Sequence, residues 1–103
     1  MRTKSSEAMR ALEKLTGGPL TLGRAIQAIR LGEGESQVQF AKRLRISRAH
    51  LCDIEKDRKP VSAVRAAALA RQLGYGEVQF VRLALQAQLK RAGLRLKVHV
   101  EAA

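Results

Sequence analysis

The chain has 103 residues, and its 20 Lys and Arg residues against nine Asp and Glu give a net charge of +11. This length allows one compact domain, and a hydrophobic content of 46% is enough for a core, which excludes wholesale disorder. The positive charge favours a polyanionic partner, either nucleic acid or an acidic membrane surface.

Two features argue against a membrane or secreted protein. The longest stretch without a charged residue runs from Leu15 to Gly23 and is broken by glycine and proline, whereas a spanning helix needs ~18 apolar residues. No secretory leader opens the chain. The single cysteine, Cys52, excludes an internal disulfide and a thiolate zinc site. We therefore expect a cytoplasmic protein.

Aromatic residues are few, namely Phe40, Tyr75 and Phe80. Proteins that bind single strands or RNA usually stack bases on exposed rings. Because this chain has few rings to offer, duplex DNA is the favoured nucleic acid.

Residues 1–20 form a basic N-terminal segment. Ser5 or Ser6 can cap a short helix there, and the Gly-Gly-Pro that follows ends it. The apolar residues of this helix fall on one side: Ala8, Leu12 and Leu15. The sequence leaves two roles open, a packing helix or mobile tail and an arm that contacts DNA or a partner.

Residues 21–92 are predicted to form five helices. Hydroxyl side chains that can act as N-caps precede the first four: Thr21, Ser36, Ser47 and Ser62. The fifth follows a turn at Tyr75 and Gly76 and runs through Arg91. Its apolar stripe consists of Val78, Val81, Leu85 and Leu89.

The second and third helices have the pattern of a helix-turn-helix from about Gln37 to Lys56. Ala41 is small where two steeply crossing helices approach most closely. The predicted inner lining is Phe40, Leu44, Ile46, Leu51 and Ile54. The outer face of the third helix then carries Arg48, Ala49, Cys52, Asp53 and Lys56. Such a face can enter the major groove of DNA.

The last residues change period. Polar residues alternate there with Leu94, Leu96, Val98 and Val100, which predicts a β-strand. A lone strand with one apolar face is not stable in water. We therefore expect residues 93–103 to be a dimerisation strand that pairs between two copies; the rival partner is a different protein.

The segment from Ser36 to Pro60, SQVQFAKRLRISRAHLCDIEKDRKP, resembles the DNA-binding domain of lambdoid phage repressors and Cro, the XRE-type helix-turn-helix family. This resemblance implies an all-α, five-helix repressor-like domain over residues 21–92. It also implies a sequence-specific, double-stranded DNA-binding transcriptional regulator, expected to be a repressor. With twofold pairing of the C-terminal strands, we expect its operator to be pseudo-palindromic.

The resemblance implies roles for individual residues. Base-reading positions are Arg48, Ala49 and Asp53. Contacts to the DNA backbone are implied for Gln37, Arg58 and Lys59. Apart from the resemblance, we expect further backbone contacts from Lys42 and Arg43, which flank the same surface, and from Lys56 on the outer face. A structural ion pair is expected between Arg30 and Glu55, tying the first helix to the recognition helix.

Two residues depart from the family pattern. Arg45 stands where the family usually has glycine, at a position that often needs a left-handed backbone. Asp53 places a negative charge on the surface expected to face DNA. Its carboxylate can accept from cytosine N4, or it can pair with Lys56 or Arg48 within the helix.

No catalytic or cofactor pattern is present. His50, Cys52 and His99 do not have the spacing of a metal site, and no nucleophile triad or phosphate loop appears. We expect neither an enzyme nor a metal or cofactor. Two alternatives to a plain repressor stay open: an antitoxin that neutralises a partner toxin and represses its own operon, and a protein that binds DNA without sequence preference.

Overall fold

A computed structural model describes residues 20–103. Within this part of the chain there are five α-helices and no β-strand. The helices are α1 (Leu22–Gly32), α2 (Gln37–Leu44), α3 (Arg48–Glu55), α4 (Ala63–Leu73) and α5 (Glu77–Arg91). The predicted helical fold is confirmed, whereas the expected N-terminal helix lies outside the described residues.

The four predicted N-caps are confirmed. The side-chain hydroxyls of Thr21, Ser36, Ser47 and Ser62 each accept a hydrogen bond from the backbone N–H three residues further on. At α2 the Gln39 side chain also accepts from the backbone N–H of Ser36, which completes a capping box. These bonds satisfy backbone donors that the helix itself cannot, so the starts of the helices are encoded locally.

The core contains side chains from all five helices. α4 and α5 pack against each other, and α1 packs against both α3 and α5. The largest fully buried side chains are Phe40, Phe80, Ile26, Leu51 and Leu69. In this arrangement α3 is held from behind by α1 and α2, which leaves its other side outward.

The apolar stripe predicted on α5 is not the side that enters the core. Phe80, Leu83 and Ala84 are the buried residues of α5. The predicted stripe is half-buried and consists of Val78, Val81, Leu85 and Leu89. The helix therefore has apolar surface on two sides, only one of which is covered fully by residues 20–103.

The C-terminal segment forms no strand in the single chain. Its backbone is tied to α5 through the Gln86 side chain, which donates to the Leu96 carbonyl at 2.8 Å and accepts from the Val98 N–H at 2.9 Å. Leu94 and Leu96 are exposed. A strand requires a second strand to supply its hydrogen bonds, and residues 20–103 of one copy contain none.

None of the described helices combines the length and the apolar character that a membrane-spanning helix requires.

Candidate nucleic-acid interface

The turn between α2 and α3 is tight and left-handed. Arg45 has φ 59° and ψ 41°, and the N–H of Ile46 donates to the Ala41 carbonyl at 3.0 Å. A side chain in this region costs on the order of 1 kcal/mol, which glycine avoids. The turn thus has the backbone that the family pattern requires, although arginine occupies it.

The third helix is anchored on one side and open on the other. Leu51, Ile54 and Glu55 are buried, whereas Arg48, Ala49 and Lys56 are exposed. Cys52 and Asp53 are half-buried. Every residue that the pattern placed on the outer face therefore keeps some contact with solvent.

Arg30 and Glu55 form a buried, two-point ion pair that joins α1 to α3. Arg30 Nε lies 2.7 Å from Glu55 Oε2, and Nη2 donates to Oε1 at 3.0 Å. The two side chains are only 10% and 1% exposed. Nη1 also donates to the Glu35 carbonyl at 3.1 Å, so both charges are well satisfied away from water.

Gln37 is the third partner in this cluster. Its side-chain amide nitrogen donates to Glu55 Oε1 at 3.2 Å. Since Gln37 begins α2, this bond connects the start of the motif to the end of α3. The side chain predicted to contact phosphate is thus oriented by Glu55 within the protein.

Sequence reasoning missed Asp57, which links the loop after α3 to the start of α1. Its carboxylate accepts from the Thr21 hydroxyl at 2.7 Å and from the Gly23 N–H at 3.1 Å. Asp57 itself has a left-handed backbone, with φ 55°. Because its partners are more than 30 residues away, no local pattern indicates this role.

Arg43 is already engaged by two carboxylates. Its Nη1 pairs with Glu33 and with Glu35, the latter at 3.2 Å. The hydrogen bond that Arg43 donates to Glu33 is the main reason that the pKa of Arg43 is raised above its usual value. Lys42 and Lys56, also predicted to contact the DNA backbone, are exposed.

Asp53 pairs with the loop after the helix, not with Lys56 or Arg48. Its Oδ1 lies 3.0 Å from Arg58 Nε, and its Oδ2 lies 3.4 Å from Lys59 Nζ. Arg58 Nη2 also donates to Cys52 Sγ at 3.4 Å. The intrahelical pair, one of the two alternatives for Asp53, is therefore not formed, because the loop turns back and brings Arg58 and Lys59 closer.

Within residues 20–103, no three metal-binding side chains come together.

Two short helices, a left-handed turn and an exposed, basic outer face together define a helix-turn-helix protein. Comparison with known families agrees, since the Helix-turn-helix family profile matches residues 26–80. This match covers more than half of the chain. The chain therefore belongs to the helix-turn-helix family.

Comparison with curated proteins gives a phage relative. The "Immunity repressor protein" of Bacillus phage phi105 is 42% identical over 55 residues, which is 53% of this chain and 38% of the relative. The chain thus spans well under half of that relative's length. No solved structure matches the chain significantly.

Proposed function

We propose that this protein is a transcriptional repressor that binds double-stranded DNA in a sequence-specific way. The observation that carries the proposal is the arrangement of α3, buried through Leu51 and Ile54 and exposed at Arg48 and Ala49. The net charge of +11 supplies attraction for phosphate. The family match and the name of the phage relative support the same function.

In this proposal α3 enters the major groove with its N-terminal end leading. Arg48, the first residue of α3, can donate two hydrogen bonds to a guanine edge, whereas Ala49 offers an apolar contact, for example to a thymine methyl. Contacts to phosphate come from Gln37, Lys42, Arg43, Lys56, Arg58 and Lys59. The phosphate contacts set the orientation and the base contacts set the sequence.

Arg48→Ala is expected to relax specificity at one operator position, with a loss of about 1–3 kcal/mol for the preferred duplex. Selection from random duplexes, with wild type and variant side by side, measures this change. The wild-type selection also tests the function itself: a regulator gives a defined consensus, whereas a protein that binds DNA without sequence preference gives none.

Lys59→Ala is the matched comparison, since Lys59 lies in the loop and not on the outer face of α3. It should weaken every duplex alike and flatten the salt dependence. If Arg48→Ala also weakened all duplexes equally, with no altered position, the base-reading role of Arg48 would be wrong.

We further propose a twofold homodimer built on the C-terminal segment. The alternation of apolar residues there is that of a strand, and its Leu94 and Leu96 are exposed. Next to it, α5 carries the half-buried stripe that the core leaves partly uncovered. Antiparallel pairing of residues 94–101 from two copies would cover both surfaces and match the symmetry of a pseudo-palindromic operator.

Deletion of Leu94–Ala103 is expected to give a monomer, because it removes the strand whose backbone hydrogen bonds would join the two copies. Light scattering of the full chain and of the deletion measures the mass directly. A shorter deletion of Ala102 and Ala103 serves as the control and should stay dimeric. A dimeric Leu94–Ala103 deletion would refute the model.

The same exposed segment would suit the antitoxin alternative, in which a toxin covers it. Neither the family match nor the phage relative points to a toxin, so repression is the function we propose. Such a regulator works where the DNA is, which in a bacterial host is the cytoplasm, and it needs no catalytic group.

A further inference from the structure

Asp53 occupies an unusual place for an acidic residue, on the outer face of the helix that the proposed function puts against DNA. Both of its carboxylate oxygens are used by the protein's own cations, Arg58 at 3.0 Å and Lys59 at 3.4 Å. A carboxylate occupied in this way is not poised to accept from a base. Its contacts indicate an action on the two cations instead.

The loop is built so that these pairs form. The backbone N–H of Arg58 donates to the Asp53 carbonyl at 2.9 Å, which turns the chain back over the end of α3. The left-handed Asp57 lies inside this turn and is held by Thr21 and Gly23 of the α1 start. The cations are therefore kept near Asp53 by the fold and not by chance rotamers alone.

The exposures show that the pairs can be exchanged. The Arg58 and Lys59 side chains are 54% and 65% exposed, whereas that of Asp53 is 24% exposed. A phosphate can thus approach both cations from solvent. Exposed ion pairs are weak, so a well-placed pair of phosphates can displace the carboxylate, while a poorly placed one gains less.

We propose that Asp53 is a positioning residue that occupies Arg58 and Lys59 in the free protein and so lowers the affinity for duplexes whose phosphates are poorly placed to displace its carboxylate. This inference rests on the proposed function, and it makes Asp53 a determinant of specificity without any contact to a base. Specificity is the ratio of operator binding to background binding, and the carboxylate acts by lowering the background.

The test compares Asp53→Asn with Glu77→Gln. Both remove one negative charge from an ion pair, but Glu77 pairs at 2.7 Å with Arg71, outside the helix-turn-helix. Fluorescence anisotropy is measured with the duplex selected by wild type and with a scrambled duplex of the same composition, over a series of salt concentrations.

Asp53→Asn is expected to bind the scrambled duplex about two- to tenfold more tightly than wild type. The slope of log K against log salt should become steeper by about one. Without the charge of Asp53, one more positive charge of the protein is free to neutralise phosphate. The ratio of selected to scrambled affinity should fall. Glu77→Gln should leave all three quantities near wild type, since its charge change is screened at a distance.

A base-reading Asp53 gives a different result. Asp53→Asn would then lose affinity for the selected duplex, change the preferred base and leave the scrambled duplex unaffected, which overturns the inference. If Asp53→Asn merely loosened the loop, the affinity for both duplexes would fall, and this result would also overturn the inference.

Heparin, a polyanion without bases, separates failure of the inference from failure of the proposed function. If the inference holds, Asp53→Asn elutes from heparin at higher salt than Glu77→Gln. Coincident elution and coincident duplex affinities would overturn the inference and leave the proposed function standing. Later elution with no binding of any duplex, by wild type or variant, would overturn the proposed function alone.

Discussion

Replacing Glu55 with Ala is expected to lower the free energy of unfolding by about 3–5 kcal/mol. The carboxylate is 1% exposed and accepts from two guanidinium nitrogens of Arg30 and from Gln37. Its removal leaves the buried guanidinium of Arg30 in α1 without an opposite charge. The Gln37 side chain, at the start of α2, loses its acceptor. Urea unfolding followed by far-ultraviolet circular dichroism measures the loss.

A matched control is available at the surface. Glu77→Ala also breaks a 2.7 Å pair, with Arg71, but these side chains are 51% and 60% exposed. Exposed pairs are typically worth about 0.2–1 kcal/mol, so Glu77→Ala should cost far less than Glu55→Ala. Equal losses for the two variants would contradict the structural role assigned to the buried pair.

A second comparison separates the net contribution of the Arg30–Glu55 pair to the free energy of unfolding from the cost of removing one partner. Replacing Arg30 and Glu55 together by Met is expected to recover much of the stability, because buried ion pairs often contribute little relative to apolar residues of similar volume. The double variant is still expected to bind the operator less well. Without Glu55, Gln37 loses the acceptor that orients it beside α3.

The sequence predicted the parts of the fold whose signals are local. Four hydroxyl caps set the starts of four helices, and each makes the expected hydrogen bond within three residues. The inward direction of Leu51 and Ile54 follows from helical spacing alone. The resemblance added Arg30 and Glu55, which lie 25 residues apart and which no periodicity connects.

The loop after α3 was not predictable in the same way. From the helix alone, Asp53 has Lys56 as a neighbour one turn later. The actual partners, Arg58 and Lys59, are brought close by the left-handed turn at Asp57. That turn depends on bonds to Thr21 and Gly23 across the fold, so the identity of Asp53's partners is decided by tertiary structure.

The C-terminal segment shows a different limit of prediction from the sequence. Its alternation predicts a strand, but a strand forms only when another backbone supplies hydrogen bonds. Inside one copy the Gln86 side chain provides two such bonds, to Leu96 and Val98. One amide side chain replaces only one peptide group of a neighbouring strand. An alternating sequence can therefore predict strand pairing for which a single chain has no second strand.

Gly23→Ala is the second substitution for which we expect a large effect. Gly23 lies in the first turn of α1, where it is buried against the end of α3. An added Cβ would lie 2.2 Å from the Ile54 carbonyl oxygen and 2.5 Å from Asp57 Oδ1. The first of these atoms belongs to the backbone, so α1 and α3 must move apart to accept a methyl group.

Three effects contribute to the expected change in the free energy of unfolding for Gly23→Ala. Overpacking of this kind typically costs about 1–3 kcal/mol of stability. If the hydrogen bonds from Thr21 and Gly23 to Asp57 break, each costs roughly 1 kcal/mol more. Alanine regains up to about 1 kcal/mol through its higher helix propensity. The net expectation is a loss of about 2–4 kcal/mol, which lowers the Tm of a domain of this size by roughly 10–20 °C.

Gly32→Ala, in the last turn of the same helix, is the control for Gly23→Ala. Among the described residues a Cβ at Gly32 meets nothing within 4 Å, so this variant should be neutral or more stable by up to about 1 kcal/mol. The two substitutions are chemically identical and differ only in what faces the new methyl group. If thermal unfolding gave the same Tm for both, the close approach of α1 to α3 would not be what requires glycine at position 23. A large difference would instead show that the position of α3 depends on a residue with no side chain. Only without a Cβ at Gly23 can Asp57 and the end of α3 reach the start of α1.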